Sequence, residues 1–522
     1  MPRVSVGTAA PDLRHPRAPA SSARALLADP VVLAVAGLTV LGAVLRFYRL
    51  GHQGFWFDEG NTALLVHFSP GKMLGLIPQT ESTPPLYYCV AWVWARIFGY
   101  GEVGLRSLSA LAGVALIPVV YGAGLKLISR RAGLIGAALA ACNPLLIWYS
   151  QEARSYQLLA LLTGVSLLAF AHARVAPTPR RLAAWVIACA LALATHYYAT
   201  LVVVPEALWL LYVHRRSRPV QIAFGVVAVC GLGLIPLAIG QHSTGRADWI
   251  AHSPFGRRLG QVIPQFAAGF DGPAHAVLEP LAIALVALAL VLLATRAEAQ
   301  ERPGALLAGG IALTGLLISL ALVVVGFDDL LTRNLLAIWT PSALLVAGGL
   351  AVSRARLVGL LATVALCVVG VITAAGVAFD RNLERPDWRV VAGALGDRPP
   401  AGGRAILVQH YRDLLPLSLY EPGIKFWPGR AGIRVRELDV VSFTSPPSAG
   451  FCWWGPACNL WPSRIQASYP VAGFHTVSER HALQFTVLRM LATTPTRLTP
   501  AAVARILHTT HFANDELLIQ RR

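Results

Sequence analysis

The 522-residue chain is 55% hydrophobic and only 13% charged, with a formal net charge of +18 and a mean hydropathy of +0.58. A soluble globular chain carries about 25% charged residues, and a charge in hydrocarbon costs about 2.5–3.5 kcal/mol, so this composition excludes an ordinary soluble enzyme. The basic excess lies largely in short segments between apolar runs, which fits membrane topology and anionic or phosphate-bearing lipids rather than nucleic acid.

Residues 1–30, rich in Pro, Ala, Ser and Arg, are expected to form a disordered cytoplasmic tail. Apolar runs of spanning length follow at 31–50, 103–127, 132–149, 156–173, 182–195, 197–213, 219–240, 278–295, 304–326, 335–352 and 356–378. Arg3, Arg14, Arg17 and Arg24 precede the first run, which puts the N-terminus in the cytoplasm. Further clusters, Lys126/Arg130/Arg131, Arg174/Arg180/Arg181, Arg215/Arg216/Arg218, Arg296/Arg302 and Arg354/Arg356, share that face if each apolar run crosses once. Both ends of 51–102 then lie outside. The aromatic stretch 85–99, which carries Arg96, reads as an amphipathic helix in the outer interface.

The composition changes after Phe379. Residues 380–522 lack a spanning run. Asp387-Trp388-Arg389 opens a helix-like stretch and Ala405–Gln409 reads as a buried strand. The expected architecture is thus an α-helical polytopic membrane protein of about eleven transmembrane helices. Interfacial helices lie in its first outer loop, and a small extracytoplasmic α/β domain forms the C-terminus. Cys452 and Cys458 flank Trp-Trp-Gly-Pro-Ala, a spacing that fits a short disulfide loop in an oxidising compartment.

Under this topology, polar candidates gather on the outer side. Asp58 and Glu59 follow Phe55-Trp56-Phe57. Adjacent acids there suit metal binding, deprotonation of an acceptor hydroxyl, or capping of the next helix. Glu81, in Glu81-Ser82-Thr83-Pro84-Pro85, is placed to face the same cavity. Glu152 and Arg154 lie between two apolar runs, as functional groups or as an exposed turn. His196 falls at the next outer turn. Arg333 follows Asp328 and Asp329, suited to a bidentate phosphate contact or to an ion pair with either acid. The long segment 241–277, with Arg246 and Trp249, suggests a substrate cover.

The order Trp56-Phe57-Asp58-Glu59, Pro84-Pro85-Leu86-Tyr87-Tyr88, Gly101-Glu102 with Arg106, Tyr149–Tyr156, Arg333 and Pro386-Asp387-Trp388-Arg389 resembles the integral-membrane GT-C glycosyltransferases. The similarity is to the glycosyltransferase 39-like class, with the protein O-mannosyltransferases and the aminoarabinose transferase for lipid A. The resemblance implies a GT-C fold over most of 31–395. It also implies sugar transfer from a polyprenyl-phosphate carrier to a cell-envelope glycan, lipid or protein at the outer face of the plasma membrane, with inversion. It makes Asp58 the catalytic base and Glu59 its assistant or a metal ligand, with Glu152 the second acid of the cavity. Arg333 holds the carrier phosphate, and Arg154, Glu81, His196 and Tyr88 are further substrate-binding candidates. Members of the class differ in using a divalent metal; the candidate ligands here are Asp58, Glu152 and His196. The competing class is a lipid-linked sugar transporter or flippase, for which broken helices and midplane charges are the expected signs.

A cysteine introduced beside Glu59 is expected to react with an impermeant thiol reagent in intact cells, and one beside Arg216 is not. Equal labelling of the two would overturn the assigned topology.

Overall fold

A computed structural model describes residues 29–380 save 252 and 271, together with 383–396, 399–408, 414–427, 432–443, 471–499, 501 and 516–521. Residues 1–28, most of the expected tail, and Cys452 and Cys458 lie outside the described residues. The first helices are α1 (Pro30–Phe47), α2 (Phe57–His67), α3 (Pro70–Thr80), α4 (Leu86–Phe98), α5 (Glu102–Leu127), α6 (Arg130–Cys142), α7 (Pro144–Ser150) and α8 (Tyr156–Ala173). There follow α9 (Pro179–Thr195), α10 (Thr200–Val213), α11 (Arg218–Leu232), α12 (Ile235–His242), α13 (Phe255–Gly260), α14 (Val262–Ala268), α15 (His275–Arg296), α16 (Arg302–Val324), α17 (Trp339–Leu350) and α18 (Arg356–Phe379).

All eleven apolar runs are helical, but they are unequal. Among the described residues, seven helices are long and apolar enough to cross a membrane, or eight if the bent pair α6–α7 is one span. The other three runs form α9, α10 and α17, of 17, 14 and 12 residues. At 1.5 Å per residue even α9 reaches only about 25 Å, short of a hydrocarbon core of about 30 Å. Helix α4, at 13 residues, is shorter than a span. It buries Tyr87, Tyr88, Ala91 and Ala95 along one stripe and exposes Val93, Ile97 and Phe98.

The expected single helix 132–149 is broken, with a 55° bend between α6 and α7. Pro144 has no N–H to offer the carbonyl of Ala140, one turn back. Arg46 of α1, fully buried, takes over. Its Nη2 donates to Ala140 O at 2.7 Å and its Nη1 to Ala141 O at 3.0 Å, while Nε reaches Ser150 Oγ at 3.1 Å. Asn143 restarts the helix, its side chain accepting from the amide of Leu146 at 3.0 Å. The break sends α7 off-axis and delivers the turn 151–155 to the site.

Beyond α18 come helix α19 (Trp388–Leu395), strand β1 (Arg404–Val408), helix α20 (Leu414–Tyr420) and strands β2 (Ile424–Phe426), β3 (Ile433–Phe443), β4 (Phe474–Ala482), β5 (Phe485–Leu498) and β6 (Glu516–Gln520). The sheet order is β2-β6-β1-β3-β5-β4, with β1 and β3 parallel and the other pairs antiparallel. All five residues of β1 are buried, as a central strand covered on both faces requires. Ile406 and Val408 face Trp388, Val391 and Leu395 of α19. Ala405 and Leu407 alternate to the opposite face, against Leu438, Val440 and Met490. Trp56, from the loop after α1, is packed into the α19 side of this core.

Arg46→Met removes the donors that satisfy the broken helix. It is expected to lower stability by about 2–3 kcal/mol, seen as a lower thermal midpoint in detergent. An unchanged midpoint would refute the assigned role of Arg46.

Candidate active site

Three buried arginines, each fanned across acids and carbonyls, fix the walls of one cavity. Arg106 of α5 grips Glu59 bidentately, Nε to Oε1 at 2.7 Å and Nη2 to Oε2 at 2.6 Å. It also donates to the carbonyls of Leu50, Gln53 and Gly54 at 2.8–3.1 Å. Glu59 accepts a further bond from the amide of Ala153 at 2.8 Å. The acid thus joins α2, the loop after α1 and the 151–155 turn. Its neighbour Asp58 then faces the other way, into the cavity.

Arg154 holds Glu81 with Nη1 at 2.9 and 3.1 Å from the two carboxylate oxygens. Asn61 Nδ2 reaches Glu81 Oε1 at 2.6 Å. The third, Arg385, lies just before α19. It pairs with Glu152 at 3.0 Å, donates to Trp148 O at 3.0 Å, and lies over the Trp148 ring at 3.9 Å.

The cavity contains about 740 Å³ of empty space, part of it open to solvent. Its wall includes Asp58, Glu81, Arg154, His196 and Arg333 among the expected residues, with Asn61, Tyr156, Tyr198, Asp329, Asn334 and Leu415. Arg246, Ala247, Trp249 and Ile250 supply one side, so the segment after α12 does border the site. Arg333 Nη1 is 3.3 Å from Asp58 Oδ2. Its guanidinium carbon lies 5.7 Å from the Tyr156 ring centre and 5.5 Å from that of Trp249.

Several alternatives from the sequence are displaced. Asp58 does not cap α2: Trp56 occupies the N-cap without a side-chain bond, and Asp58 sits in the first turn. Asp328 pairs with Arg258 at 2.6 Å and Asp329 bonds Tyr198; the acid beside Arg333 is the distant Asp58. The 151–155 turn is buried rather than solvated, with Glu152 1% and Arg154 8% exposed. Glu59, Glu152 and Tyr88 are not part of the cavity wall. Tyr88 is buried beneath it, its hydroxyl 3.1 Å from Thr83 Oγ1.

Burial and the neighbouring guanidiniums of Arg154 and Arg333 push the His196 imidazole down to about 3. Its Nδ1 accepts from the amide of Tyr198 at 3.3 Å, so the neutral ring carries its proton on Nε2. Burial pushes Glu152 up to about 7, against the opposing pull of Arg385. Glu152 Oε1 is buried and has no hydrogen-bond partner among the described residues. The metal candidates Asp58, Glu152 and His196 do not converge: among the described residues no group of three His, Cys, Asp or Glu side chains is placed to hold an ion.

A second, mostly apolar cavity, with about 1110 Å³ of empty space that is partly open to solvent, lies between α6, α14, α16, α17 and α18. Ile338, Trp339 and Ser342 line it, only a few residues beyond Arg333 and Asn334 of the polar cavity. Asn334 and Arg385 carried no motif of their own in the sequence. For Arg385 the only signal is its position directly before Pro386-Asp387-Trp388-Arg389.

Residues 82–239 match the family model described as dolichyl-phosphate-mannose-protein mannosyltransferase. No curated protein matches the chain in sequence. In fold the chain is similar to ArnT from Cupriavidus metallidurans, in the apo state with a TM-score of 0.54 and bound to undecaprenyl phosphate with 0.52. Each comparison is at 16% identity and covers 88% of this chain and 97% of ArnT. The resemblance to GT-C glycosyltransferases thus extends from sequence motifs to the fold, and the chain is a multi-pass membrane protein.

An imidazole held at about 3 when folded and near 6.5 when unfolded binds its proton first in the unfolded state. The stability supplied by the neutral ring is therefore present above pH 6.5 and lost as pH falls toward 3. Relative to His196→Gln, wild type is expected to lose about 2 kcal/mol between pH 7 and pH 5, measured by thermal unfolding in detergent. Parallel pH profiles would show that the ring is charged or exposed.

Proposed function

We propose that the chain transfers a sugar from a polyprenyl-phosphate carrier to a hydroxyl of a cell-envelope glycan, lipid or protein at the extracytoplasmic face, inverting the anomeric centre. The observation that carries the reading is the Asp58–Arg333 pair, 3.3 Å apart, in a polar cavity, with Ile338 and Trp339 of a mostly apolar cavity only a few residues further along the chain. A polyprenyl phosphate has both chemistries in one molecule. Its head suits a guanidinium, and its tail suits a dry groove that gains about 0.8 kcal/mol per buried CH₂. ArnT, similar in fold, has been seen with undecaprenyl phosphate, which supports the reading.

In this mechanism Arg333 receives the carrier phosphate. A phosphate offers a guanidinium two oxygens in fork geometry, whereas Asp58 contributes one oxygen at 3.3 Å. The phosphate therefore competes well for Arg333 and frees Asp58. The acceptor oxygen attacks the anomeric carbon, its proton passes to Asp58, and the bond from that carbon to the phosphate oxygen breaks. Charge grows on the departing phosphate, so Arg333 stabilises the transition state more than the ground state. One base and one displacement need no covalent sugar–enzyme intermediate.

Glu59 is assigned a supporting part. Both its oxygens are engaged by Arg106 and the Ala153 amide, and it aims Asp58 rather than meeting substrate. Arg154, Glu81 and His196 border the space for the sugar. The N-terminus is cytoplasmic and the C-terminal sheet extracytoplasmic in this proposal, and the first outer loop supplies Asp58.

Asp58→Asn is expected to lower transfer from radiolabelled polyprenyl-phosphate sugars to envelope acceptors by about 10²–10⁴-fold in reconstituted membranes. Equal transfer by both proteins would remove Asp58 from its role. Lipid translocation without glycosidic bond formation would favour a transporter.

A further inference from the structure

Arg385 belongs to the segment joining α18 to the C-terminal sheet unit, yet its side chain ends against Trp148, Gln151 and Glu152 of the membrane domain. It is 5% exposed. Helix α7 has only seven residues after the proline break, so its last carbonyls lie in a buried turn where water cannot satisfy them. Arg385 Nη2 donates to Trp148 O at 3.0 Å and Nη1 to Gln151 O at 3.4 Å. The same Nη2 is 3.0 Å from Glu152 Oε2, and the guanidinium covers the Trp148 ring at 3.9 Å. A cation at a helix C-terminus also meets the negative end of the helix dipole.

The opposite side of the turn is held by Glu59, which accepts from the Ala153 amide at 2.8 Å. A turn of five residues is thus gripped by a cation on its carbonyls and an anion on an amide. Directly after those two grips the chain emits Arg154, which holds Glu81 and borders the cavity. The C-terminal unit is fastened here by further contacts. Arg389 Nη2 donates to Gly51 O at 3.2 Å, and the Tyr420 hydroxyl accepts from the Phe55 amide at 2.6 Å and donates to Glu102 at 2.7 Å. Leu415 of α20 borders the cavity itself. A Cβ on Gly60 would stand 2.9 Å from Pro416 N, so α2 and α20 approach as closely as backbones can.

We propose that Arg385 is a positioning residue: by clamping the 148–152 carbonyls and Glu152, the C-terminal unit sets the 151–155 turn and aims Arg154 into the cavity. The unit is then part of the active-site framework. The effect on transfer rests on the glycosyltransferase reading; the effect on the turn does not.

The test uses the full-length protein in detergent or nanodiscs. In Arg385→Met, amide exchange at 151–155 is expected to rise about tenfold or more, while 388–395 stays protected. Loss of aim in a site of fixed geometry is expected to lower kcat for carrier-dependent transfer by about 30-fold, with donor KM changed less than about threefold. Glu152→Gln combined with Arg385→Met is expected to lose no more activity than Arg385→Met alone, because the two act as one unit. Arg385→Gln, which keeps amide donors, covers the case in which the methionine variant fails to fold, and is expected to restore part of the protection. Unchanged exchange at 151–155 in a folded Arg385 variant, or additive losses in the double variant, would overturn the proposal. A wild-type protein inactive with every carrier would defeat the transferase reading alone, and the exchange experiment would still decide the role of Arg385.

Discussion

The buried pair of Glu59 and Arg106 is the constraint on which the site depends. A carboxylate and a guanidinium removed from water each carry a desolvation cost of several kcal/mol, and attraction between them offsets it only if the remaining polar atoms are also engaged. Here they are. Arg106 adds three carbonyls of the loop after α1, and Glu59 adds the amide of Ala153. Three stretches of chain distant in sequence are thereby held at one point: the loop with α2, α5 and the 151–155 turn. Removing either partner would leave an uncompensated charge in the interior, so the network locks as a whole. Asp58 inherits its direction from this lock, because its backbone is next to Glu59 on α2.

The 151–155 turn exists because α6–α7 is broken, and the break follows from Pro144. A continuous helix from Arg130 to Ser150 would carry the turn along the bundle axis. The 55° bend exposes carbonyls that need donors in a place without water. Arg46 supplies them from α1, and glycines make the room. A Cβ at Gly113 would come within 2.6 Å of Arg46 Nε. Sequence, helix geometry and site placement are one causal line here, from a missing N–H to the position of Arg154.

This explains what could be read from the chain beforehand. Apolar length marks helices, and the adjacent acids of Trp56-Phe57-Asp58-Glu59 stand out as candidates. Asp58, Glu81, Arg154, His196 and Arg333 do converge on one cavity. Sequence could not separate the roles of Asp58 and Glu59, since adjacent acids on a helix point about 100° apart and only tertiary partners decide which is buried. Arg333 sits beside two aspartates in sequence, yet its carboxylate partner is 275 residues away; Asp328 is taken by Arg258, which no local pattern announces. Arg46 and Arg385 escaped notice for the same reason. An arginine at the end of an apolar run looks like a topology signal, and its value as a cap depends on carbonyls freed elsewhere.

The cavity's charges also bear on how it would treat a lipid phosphate. Among the described residues of its wall, Asp58, Glu81 and Asp329 stand with Arg154, Arg246 and Arg333. Glu81 is held by Arg154 at 2.9 Å and by Asn61 at 2.6 Å, and Asp329 has the Tyr198 hydroxyl. Asp58 is tied more loosely, at 3.3 Å. An anion reaching Arg333 would therefore release the one acid whose bond is longest and leave the others in place. On the transferase reading, arrival of the donor phosphate and availability of the base are then the same event. On that reading, a guanidinium shared between base and phosphate would keep the carboxylate occupied until a carrier is present.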